Sequence, residues 1–333
     1  MATRSPATAA RAAATVWRPT CHPTEPRDEA LRADAHASAG TPTFAGDLKP
    51  RTDVRKTYKL YIGGAFPRSE SGRSYVVNDA KGKFLANASR ASRKDARDAV
   101  KAARSAFGGW SARTAYNRGQ VVYRIAEVLE GRRGQFEDEL RVAEGVSAAK
   151  ARQFVDAAID RLVWYAGWSD KIAQVTGGAN PVAGPYFNHS APEPTGVVAV
   201  VAPKGPLLGL VSVVAPLITT GNTCVVIASE EHPLTAITLA EVMATADVPG
   251  GVVNILTGQR AEIAPWLASH MDVNGLDLTG IDDPVLAKDL EAAAAENLKR
   301  VRRPGDEDLL APPRLDRMTQ FLETKTVWHP IGI

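Results

Sequence analysis

The fold is decided by TGVVAVVAPKGPLLGLVSVVAPLITTGNTCVVIASEEHPL at residues 195–234, together with VPGGVVNILTG at 248–258 and GLDLTG at 275–280. Short runs rich in valine and isoleucine alternate here with longer apolar segments that have helical spacing. Such short runs are typical of strands that are buried on both faces. Strands are predicted at 196–202, 223–227, 252–256 and 275–278, and helices at 206–220 and 234–246.

This alternation predicts an α/β fold with a doubly wound, mostly parallel sheet, because right-handed crossovers place helices on both faces of such a sheet. Sheets of this kind bind ligands beyond the carboxyl ends of their strands. The candidate ligand-binding residues therefore lie at those ends: Pro203, Ser229, Glu230, Gly258 and Gly280.

The composition of the 333-residue chain excludes several classes of function. Hydrophobic residues make up 44% of the chain, and the formal net charge is only +3. A small and dispersed charge argues against nucleic acid or an anionic membrane as a partner. No apolar run is long enough to predict a membrane span. The two cysteines, Cys21 and Cys224, cannot build a disulfide framework, which favours a cytoplasmic location.

The first part of the chain differs from the rest. Residues 1–56 are rich in Ala, Arg, Thr and Pro without apolar periodicity, so we interpret them as a disordered leader, with a transit peptide as the alternative. A hairpin around a Gly-Gly turn is predicted from Tyr58 to Pro67. Three helices follow; the first has a capping-box start at 92–95, and the third is predicted at 147–173.

The segment 180–194, NPVAGPYFNHSAPEP, contains too many prolines for a helix. Its section from Pro185 to Ala191 is predicted to form an edge strand. His189 is interpreted as a solvated surface residue, because no second metal ligand lies near it in sequence. No metal site is therefore predicted.

The strand ends resemble those of the aldehyde dehydrogenase superfamily. GNTCVV is similar to the second cofactor-domain strand of that family, and SEEHPL at 229–234 is similar to the end of its K-P-S-E-x-x-P-L segment. VPGGVVNILTG and LDLTG are similar to the ends of its third and fourth strands. The resemblance runs from about Tyr58 to Val301. It implies an NAD(P)-dependent oxidoreductase fold with a cofactor domain, a catalytic domain and an oligomerisation arm that would include 180–194.

The resemblance also implies a catalytic apparatus that this chain lacks. In the family a cysteine thiolate attacks the aldehyde, a glutamate activates water, and an asparagine amide stabilises the oxyanion. Cys224 lies in a predicted buried strand, where a thiol is inert, and Cys21 lies in the leader. The asparagine position reads Pro203-Lys204-Gly205-Pro206, and a flexible lysine is a poor substitute. No catalytic residue is assigned.

The segment that would carry the base glutamate is replaced. AAAAENLKRV, ending at Val301, is similar to the family sequence before its E-L-G-G-K motif, but RRPGDED follows at 302–308. Residues 302–318 are interpreted as a linker in place of the catalytic domain. The predicted cofactor domain is 57–301, and 319–333 resembles the carboxyl-terminal oligomerisation strand.

The resemblance implies an NAD(P) site, although several of its contacts are missing. Glu230 matches a family glutamate near the adenosine ribose, whereas the accompanying lysine position falls at Ala228 or in a deletion. Ile281 replaces a serine that faces the phosphates, and the carboxylates that follow it repel phosphate. Arg260 could compensate. NAD(P) binding is expected to be weak or lost.

Three hypotheses for the function follow, and the remaining alternative is a decayed fragment without a role. The first is a non-catalytic subunit that associates with a full-length aldehyde dehydrogenase or with itself. The second is an NAD(P)-dependent oxidoreductase acting on aldehydes, and the third is a nucleotide-binding sensor. The first is preferred because the arm is retained while the catalytic domain is missing. An unpaired tail strand from Phe321 to Ile331, with Val327 and Trp328 exposed, would require a strand from another chain.

Overall fold

The computed structural model describes residues 55–332, so Cys21 and nearly all of the predicted leader lie outside the described part of the chain. The strands in this range are β1 (Ser74–Asn78), β2 (Phe84–Ser89), β3 (Gly178–Asn180), β4 (Tyr186–Pro194), β5 (Val197–Val201), β6 (Thr223–Ile227), β7 (Val253–Leu256), β8 (Gly275–Asp277), β9 (Arg300–Arg302) and β10 (Leu322–Pro330). The helices are α1 (Arg93–Ser111), α2 (Ala115–Gly131), α3 (Arg133–Glu144), α4 (Ala148–Trp168), α5 (Ile172–Thr176), α6 (Leu208–Thr219), α7 (Pro233–Thr245), α8 (Arg260–Ser269), α9 (Pro284–Ala295) and α10 (Asp316–Thr319).

Five of these strands form one parallel sheet in the order β7-β6-β5-β8-β9. β5 pairs with β6 from Val197↔Thr223 to Val201↔Ile227, and with β8 on its other side. The predicted α/β class and parallel sheet are confirmed. The chain moves outward through β6 and β7 and then returns to the far side of β5, so the strand order reverses between β5 and β8. The fifth strand, β9, was not predicted.

Helices cover both faces of the sheet, as a doubly wound topology requires. In β5, Val198 and Val200 pack into one apolar core with α6 and α7, which we call the α6 core. Val197, Ala199 and Val201 pack into a second core with α8 and α9, the α8 core. Alternate residues of a strand face opposite sides, so β5 contributes to both. The α6 core also contains α2, α3 and α4, and the α8 core contains most of the buried face of α1.

The predicted hairpin at the start of the domain is confirmed, and it extends the sheet. Its turn is Gly63-Gly64, where φ is 63° and 83°, values that favour glycine. The backbones of Tyr61 and Ile255 then exchange hydrogen bonds of 2.9 and 2.7 Å. The edge strand β7 is thereby covered by an antiparallel partner that the sequence did not reveal.

The three predicted helices between the hairpin and the sheet correspond to α1, α2 and α4, whereas α3 was not predicted. The capping box at the start of α1 is present, because the side chains of Ser92 and Asp95 each accept the backbone N–H of the other. The third predicted helix ends earlier than expected. The chain turns after Trp168, and the short α5 follows in place of a continuous helix.

A separate antiparallel sheet, which we call the arm, has the strand order β10-β4-β3. The prediction of an edge strand at Pro185–Ala191 is wrong, because β4 lies between β3 and β10. The prediction of an unpaired tail strand is also wrong. β10 pairs with β4 of the same chain from Leu322↔Pro194 to Pro330↔Tyr186, which satisfies one edge of its backbone hydrogen-bonding groups.

The segment predicted as a linker packs against the rest of the domain. Residues 303–315 form neither helix nor strand, and α10 crosses the predicted boundary between 318 and 319. Leu309 and Leu315 pack against the α6 core, and Met318 and Phe321 lie within it. Phe321 is only 1% exposed, so it belongs to the core and precedes the tail strand.

Candidate functional site

The candidate site is the crevice at the carboxyl ends of the parallel strands. The structure places each predicted residue within three positions of the end of its strand: Pro203 after β5, Ser229 and Glu230 after β6, Gly258 after β7, and Gly280 after β8. The strand order reverses between β5 and β8, and open α/β sheets bind ligands at such a reversal.

Glu230 is engaged by the protein itself. Its carboxylate accepts a hydrogen bond from the backbone N–H of Arg260, the first residue of α8. A carboxylate at this position satisfies a free helical N–H and opposes the positive end of the helix dipole. Burial raises the pKa of the neighbouring Tyr75, and the charge of Glu230 raises it further. The start of α8 is therefore already neutralised by a side chain of this protein.

Arg260 bridges two loops of the crevice. Its Nη1 donates to the carbonyl oxygen of Gly280 at 2.6 Å, which joins the loops that follow β7 and β8. Its Nε is buried without a hydrogen-bond partner. The guanidinium that could compensate for missing phosphate contacts is thus directed at a backbone carbonyl of the same chain.

Both candidate glycines are required by packing within the chain. The N–H of Gly280 donates to Val201 at 3.0 Å, and a Cβ on Gly280 would lie 2.0 Å from the carbonyl oxygen of Ala202. Gly258 has a φ of 139°, and a Cβ there would lie 3.1 Å from the backbone nitrogen of Ala91. Close backbone approach accounts for glycine at both positions. Neither glycine by itself indicates that phosphate binds here.

The remaining candidate residues also make internal contacts. Ser229 is 3% exposed, and its Oγ accepts from the backbone N–H of His232 at 3.3 Å. Pro203 lies half-buried against α6. Beside it, Nζ of Lys204 lies 3.2 Å from the carboxylate of Asp282, so an exposed ion pair joins the loops after β5 and β8. This ion pair crosses the point where the strand order reverses.

The start of α9 has a carboxylate of its own. Asp283 is the N-cap residue, and its Oδ1 accepts from the backbone N–H of Val285 at 2.9 Å. Ile281 is 4% exposed and packs into the α8 core, so it offers no polar group to a ligand. A phosphate near this helix would meet the carboxylates of Asp282 and Asp283, which repel it.

Cys224 is the second residue of β6 and is 0% exposed. Burial raises the pKa of its thiol to about 12, so the thiol is protonated at neutral pH. Asn254 on β7 donates to the carbonyl of Cys224 at 3.1 Å and to that of Gly251 at 2.8 Å. The prediction that Cys224 is a buried strand residue is confirmed.

Sequence reasoning missed a buried ion pair beside the crevice. Asp277, at the end of β8, lies 3.5 Å from Arg317 of α10, and their side chains are 3% and 2% exposed. Asp277 also accepts from the backbone N–H of Thr279 at 2.9 Å and from its hydroxyl. A buried carboxylate within an apolar strand requires a cation or a hydrogen-bond donor to offset its desolvation. The sequence LDL at 276–278 therefore indicates that Asp277 has such a partner. The sequence pattern does not identify that partner.

The described residues contain neither a metal-binding cluster nor a membrane-spanning helix, and they place His189 on the arm. Within 55–332, no group of three or more His, Cys, Asp or Glu side chains is placed to hold a metal ion. Across the same range, no helix is sufficiently long and apolar to pass through a membrane. His189 lies on β4, and its ring stacks on that of Phe187 at 6.1 Å between centroids.

Residues 66–303 match the model of a family described as the aldehyde dehydrogenase family. This chain belongs to the aldehyde dehydrogenase family. It is 32% identical over 311 residues to human aldehyde dehydrogenase 1A1, covering 88% of this chain and 59% of the human protein. It is 34% identical over 278 residues to cytosolic aldehyde dehydrogenase 1 of Elephantulus edwardii, covering 80% and 53%. The chain therefore spans about half the length of the curated relatives it matches.

Solved structures of aldehyde dehydrogenases share this fold. The NAD+ complex of an aldehyde dehydrogenase from Bacillus cereus has a TM-score of 0.70 and 30% identity, covering 74% of this chain and 50% of that one. A mutant betaine aldehyde dehydrogenase from Staphylococcus aureus, also with NAD+, has a TM-score of 0.68 and 26% identity, covering 73% and 50%. These likenesses agree with the parallel sheet and crevice described above.

Proposed function

We propose that this chain is a non-catalytic member of the aldehyde dehydrogenase family that acts as a subunit, by associating with a full-length aldehyde dehydrogenase or with a second copy of itself. Cys224 is buried and protonated, which makes it unsuited to attack an aldehyde. The loop after β5 reads Pro203-Lys204-Gly205, without an amide side chain to hold an oxyanion. Since a fold does not imply an activity, these residues support the proposal more directly than the family assignment does.

The arm carries the proposal, because it exposes large apolar side chains on both of its faces. Tyr186 and Trp328 lie on one face, with exposed fractions of 44% and 56% and ring centroids 5.8 Å apart. Phe187 and Val327 lie on the other face and are also exposed. Aromatic side chains that stay exposed together typically mark a binding surface.

The outer edge of β10 offers backbone groups as well. The backbone N–H of Thr195 donates to Phe321, and that of Ile331 donates to Pro185, so the odd-numbered residues of β10 face β4. Because bonding alternates along an antiparallel pair, the backbone groups of 324, 326 and 328 point outward. A partner strand can add to this edge through main-chain hydrogen bonds.

The opposite edge of the arm is less suited to strand addition. β3 is only three residues long and pairs with 188–190 of β4. Beyond it, Pro192 and Pro194 lack an N–H to donate. The nine-residue edge of β10 is therefore the preferred docking edge.

A full-length aldehyde dehydrogenase is the preferred partner. The family resemblance implies an arm strand that pairs with the catalytic-domain sheet of a neighbouring subunit, and the sequence after Val301 lacks the motif that opens that domain. A second copy of this chain is the alternative, since twofold self-association is the commonest oligomer symmetry. Neither nucleic acid nor a membrane is proposed as a partner.

Co-purification tests this function. The chain is co-expressed with a full-length aldehyde dehydrogenase of the same host, and the mass of the complex is measured by size-exclusion chromatography with light scattering. Trp328→Ala should weaken the mixed complex at least tenfold, as ~1.4 kcal/mol is a modest loss for an interface tryptophan. Tyr116→Ala is the matched control, because Tyr116 is 62% exposed on α2, outside the arm. A wild-type chain that remains monomeric and free of partners would contradict the proposal.

Weak or absent NAD(P) binding is part of the same proposal. Ala228 or a deletion stands where the family resemblance implies a ribose-binding lysine, and Ile281 is buried where it implies a phosphate-facing serine. Glu230, the remaining ribose contact, is engaged with the N–H of Arg260. Each missing hydrogen bond to a polar or charged group costs about 1–3 kcal/mol, so two of them weaken affinity by roughly thirtyfold or more. Calorimetry with NAD+ and NADP+ measures this directly.

Family membership favours one alternative, an NAD(P)-dependent oxidoreductase acting on aldehydes. Turnover that follows the purified chain and disappears in Cys224→Ala would establish that alternative. Micromolar NAD(P) affinity without turnover would instead favour a nucleotide-binding sensor. A cytoplasmic location remains part of the proposal, because Cys224 is an unpaired thiol.

A further inference from the structure

One region of the parallel sheet has a crossover helix on one face only. Over β8 and β9, the helices α8 and α9 pack on the side of the α8 core, where Leu276 and Val301 contribute. The intervening residues of these strands face the opposite side: Gly275, Asp277, Arg300 and Arg302. A parallel sheet is normally covered on both faces. This second face bears two arginines, a carboxylate and a glycine, and it has no large apolar side chain.

Residues 307–321 cover this face, and we call them the sealing segment. The ring of Phe321 packs directly on Gly275, where an added Cβ would lie 2.7 Å from Cδ1 of the ring. Met318, one turn earlier, is 0% exposed in the α6 core. An aromatic ring therefore fills the space above a strand residue that has no side chain.

Charged groups of the sealing segment pair with those of the strands. Arg317 lies between Asp277, at 3.5 Å, and Glu307, which accepts from Arg317 Nε at 3.1 Å. Nη2 of Arg302, on β9, lies 3.6 Å from Oε2 of Glu307 and 3.2 Å from Oδ2 of Asp316. A buried charge is tolerated when it is paired and hydrogen-bonded, so Asp277 and Arg302 require the segment to be in place, whereas Arg300 pairs with Glu323 of β10.

The other end of the sealing segment is held by α4 and α6. Arg161, which is 4% exposed, donates to the backbone carbonyls of Leu309 at 2.6 Å and Ala311 at 2.9 Å. Leu309 packs beside Gly209 at the start of α6. Contacts at both ends therefore hold the segment. It extends from α6 to β9 across the face of the sheet that belongs to the α6 core.

We propose that the sealing segment takes the place of a second protein layer over β8 and β9, so that this face is closed within the chain and accepts no domain from another chain. The inference rests on the proposed function in one respect: it leaves the arm as the docking surface for the partner. The association would then be strand addition at β10, and a catalytic domain supplied by another chain would not complete this sheet.

Amide hydrogen exchange of the whole chain tests the closure. Arg317→Met leaves Asp277 without its cation, whereas Arg314→Met is the control because the Arg314 side chain is 84% exposed. In Arg317→Met, exchange should become about tenfold faster at 307–321 and at the amides that join β8 and β9, since a lost charged hydrogen bond has an effect of that order. Arg314→Met should match the wild type. Unchanged exchange in Arg317→Met would overturn the proposal.

Two substitutions that compensate each other in size provide a second test, which remains decisive if a single variant fails to fold. Gly275→Ala introduces a Cβ that meets the Phe321 ring, and Phe321→Leu in the same chain removes the clash. The double variant should recover most of the protection that Gly275→Ala loses, whereas Gly305→Ala, with no atom within 4 Å of the new Cβ, should change nothing. Failure of the double variant to recover protection would contradict direct packing of the segment on β8.

Co-purification separates this inference from the proposed function. Arg317→Met should still form the mixed complex that Trp328→Ala weakens. If Arg317→Met remains folded but loses the complex, the face over β8 and β9 is a docking surface and the closure is wrong. If the wild-type chain forms no complex at all, the proposed function fails while the exchange result still decides the closure.

Discussion

Proline at position 326 should weaken partner binding without removing the arm. The backbone N–H of Thr326 points away from β4, so Thr326→Pro leaves the β4–β10 hydrogen bonds in place and removes one outward donor. Proline is tolerated in edge strands when its nitrogen faces solvent. One lost interstrand hydrogen bond of about 1 kcal/mol corresponds to roughly fivefold weaker binding, and the proline ring also obstructs the incoming strand.

Two further variants isolate the backbone effect. The hydroxyl of Thr326 lies 2.8 Å from that of Ser190, so Thr326→Val serves as the control that loses this contact but keeps the N–H. Val327→Pro should remove an N–H that faces β4 and disrupt the arm itself, which circular dichroism and proteolysis would detect. Biolayer interferometry gives the dissociation constant for the full-length partner. If Thr326→Pro binds as tightly as Thr326→Val, strand addition at β10 is wrong.

Three other outcomes are expected. Arg260→Ala should not create NAD+ binding measurable by calorimetry, because Ile281 and the Asp283 cap remain; micromolar affinity would show that Arg260 alone blocks the crevice. Cys224→Ala should leave aldehyde turnover, measured as NAD(P)H absorbance, at the wild-type background. Burial raises the pKa of Glu144 to about 6, so the folded state holds this proton more tightly than the unfolded state. The stability that comes from protonating Glu144 is present below about pH 4.5 and is lost as pH rises through 6. Glu144→Gln should therefore raise the melting temperature at pH 7.5 more than at pH 4.5 in scanning fluorimetry.

The parallel sheet was determined by the sequence alone. The predicted strands at 196–202 and 223–227 are β5 and β6 to within one residue at each end, because continuous valine and isoleucine runs bounded by Gly or Pro have few other stable arrangements. The positions of the candidate residues follow from the same pattern. Once the strands are known, their carboxyl ends are known, and Glu230 and Gly258 must lie there.

Tertiary structure decided how those residues are used. Nothing local to Glu230 predicts that it accepts the N–H of Arg260, because that contact depends on where α8 begins relative to β6. Gly280 likewise looks like a phosphate-site glycine until the carbonyl of Ala202 is found against it. Hydrophobic periodicity reports which side of an element is buried, and it carries no information on the partner that buries it.

The same limit explains the carboxyl-terminal part of the chain. The tail was recognisable as a strand from its β-branched and aromatic residues, but its pairing with β4 joins segments that are distant in sequence. Residues 302–318 read as a linker, since proline, glycine and mixed charges have no apolar period. These residues are fixed by contacts with Arg161 and Asp277 and by packing into the space above Gly275. Those three features are brought together only once the sheet has formed.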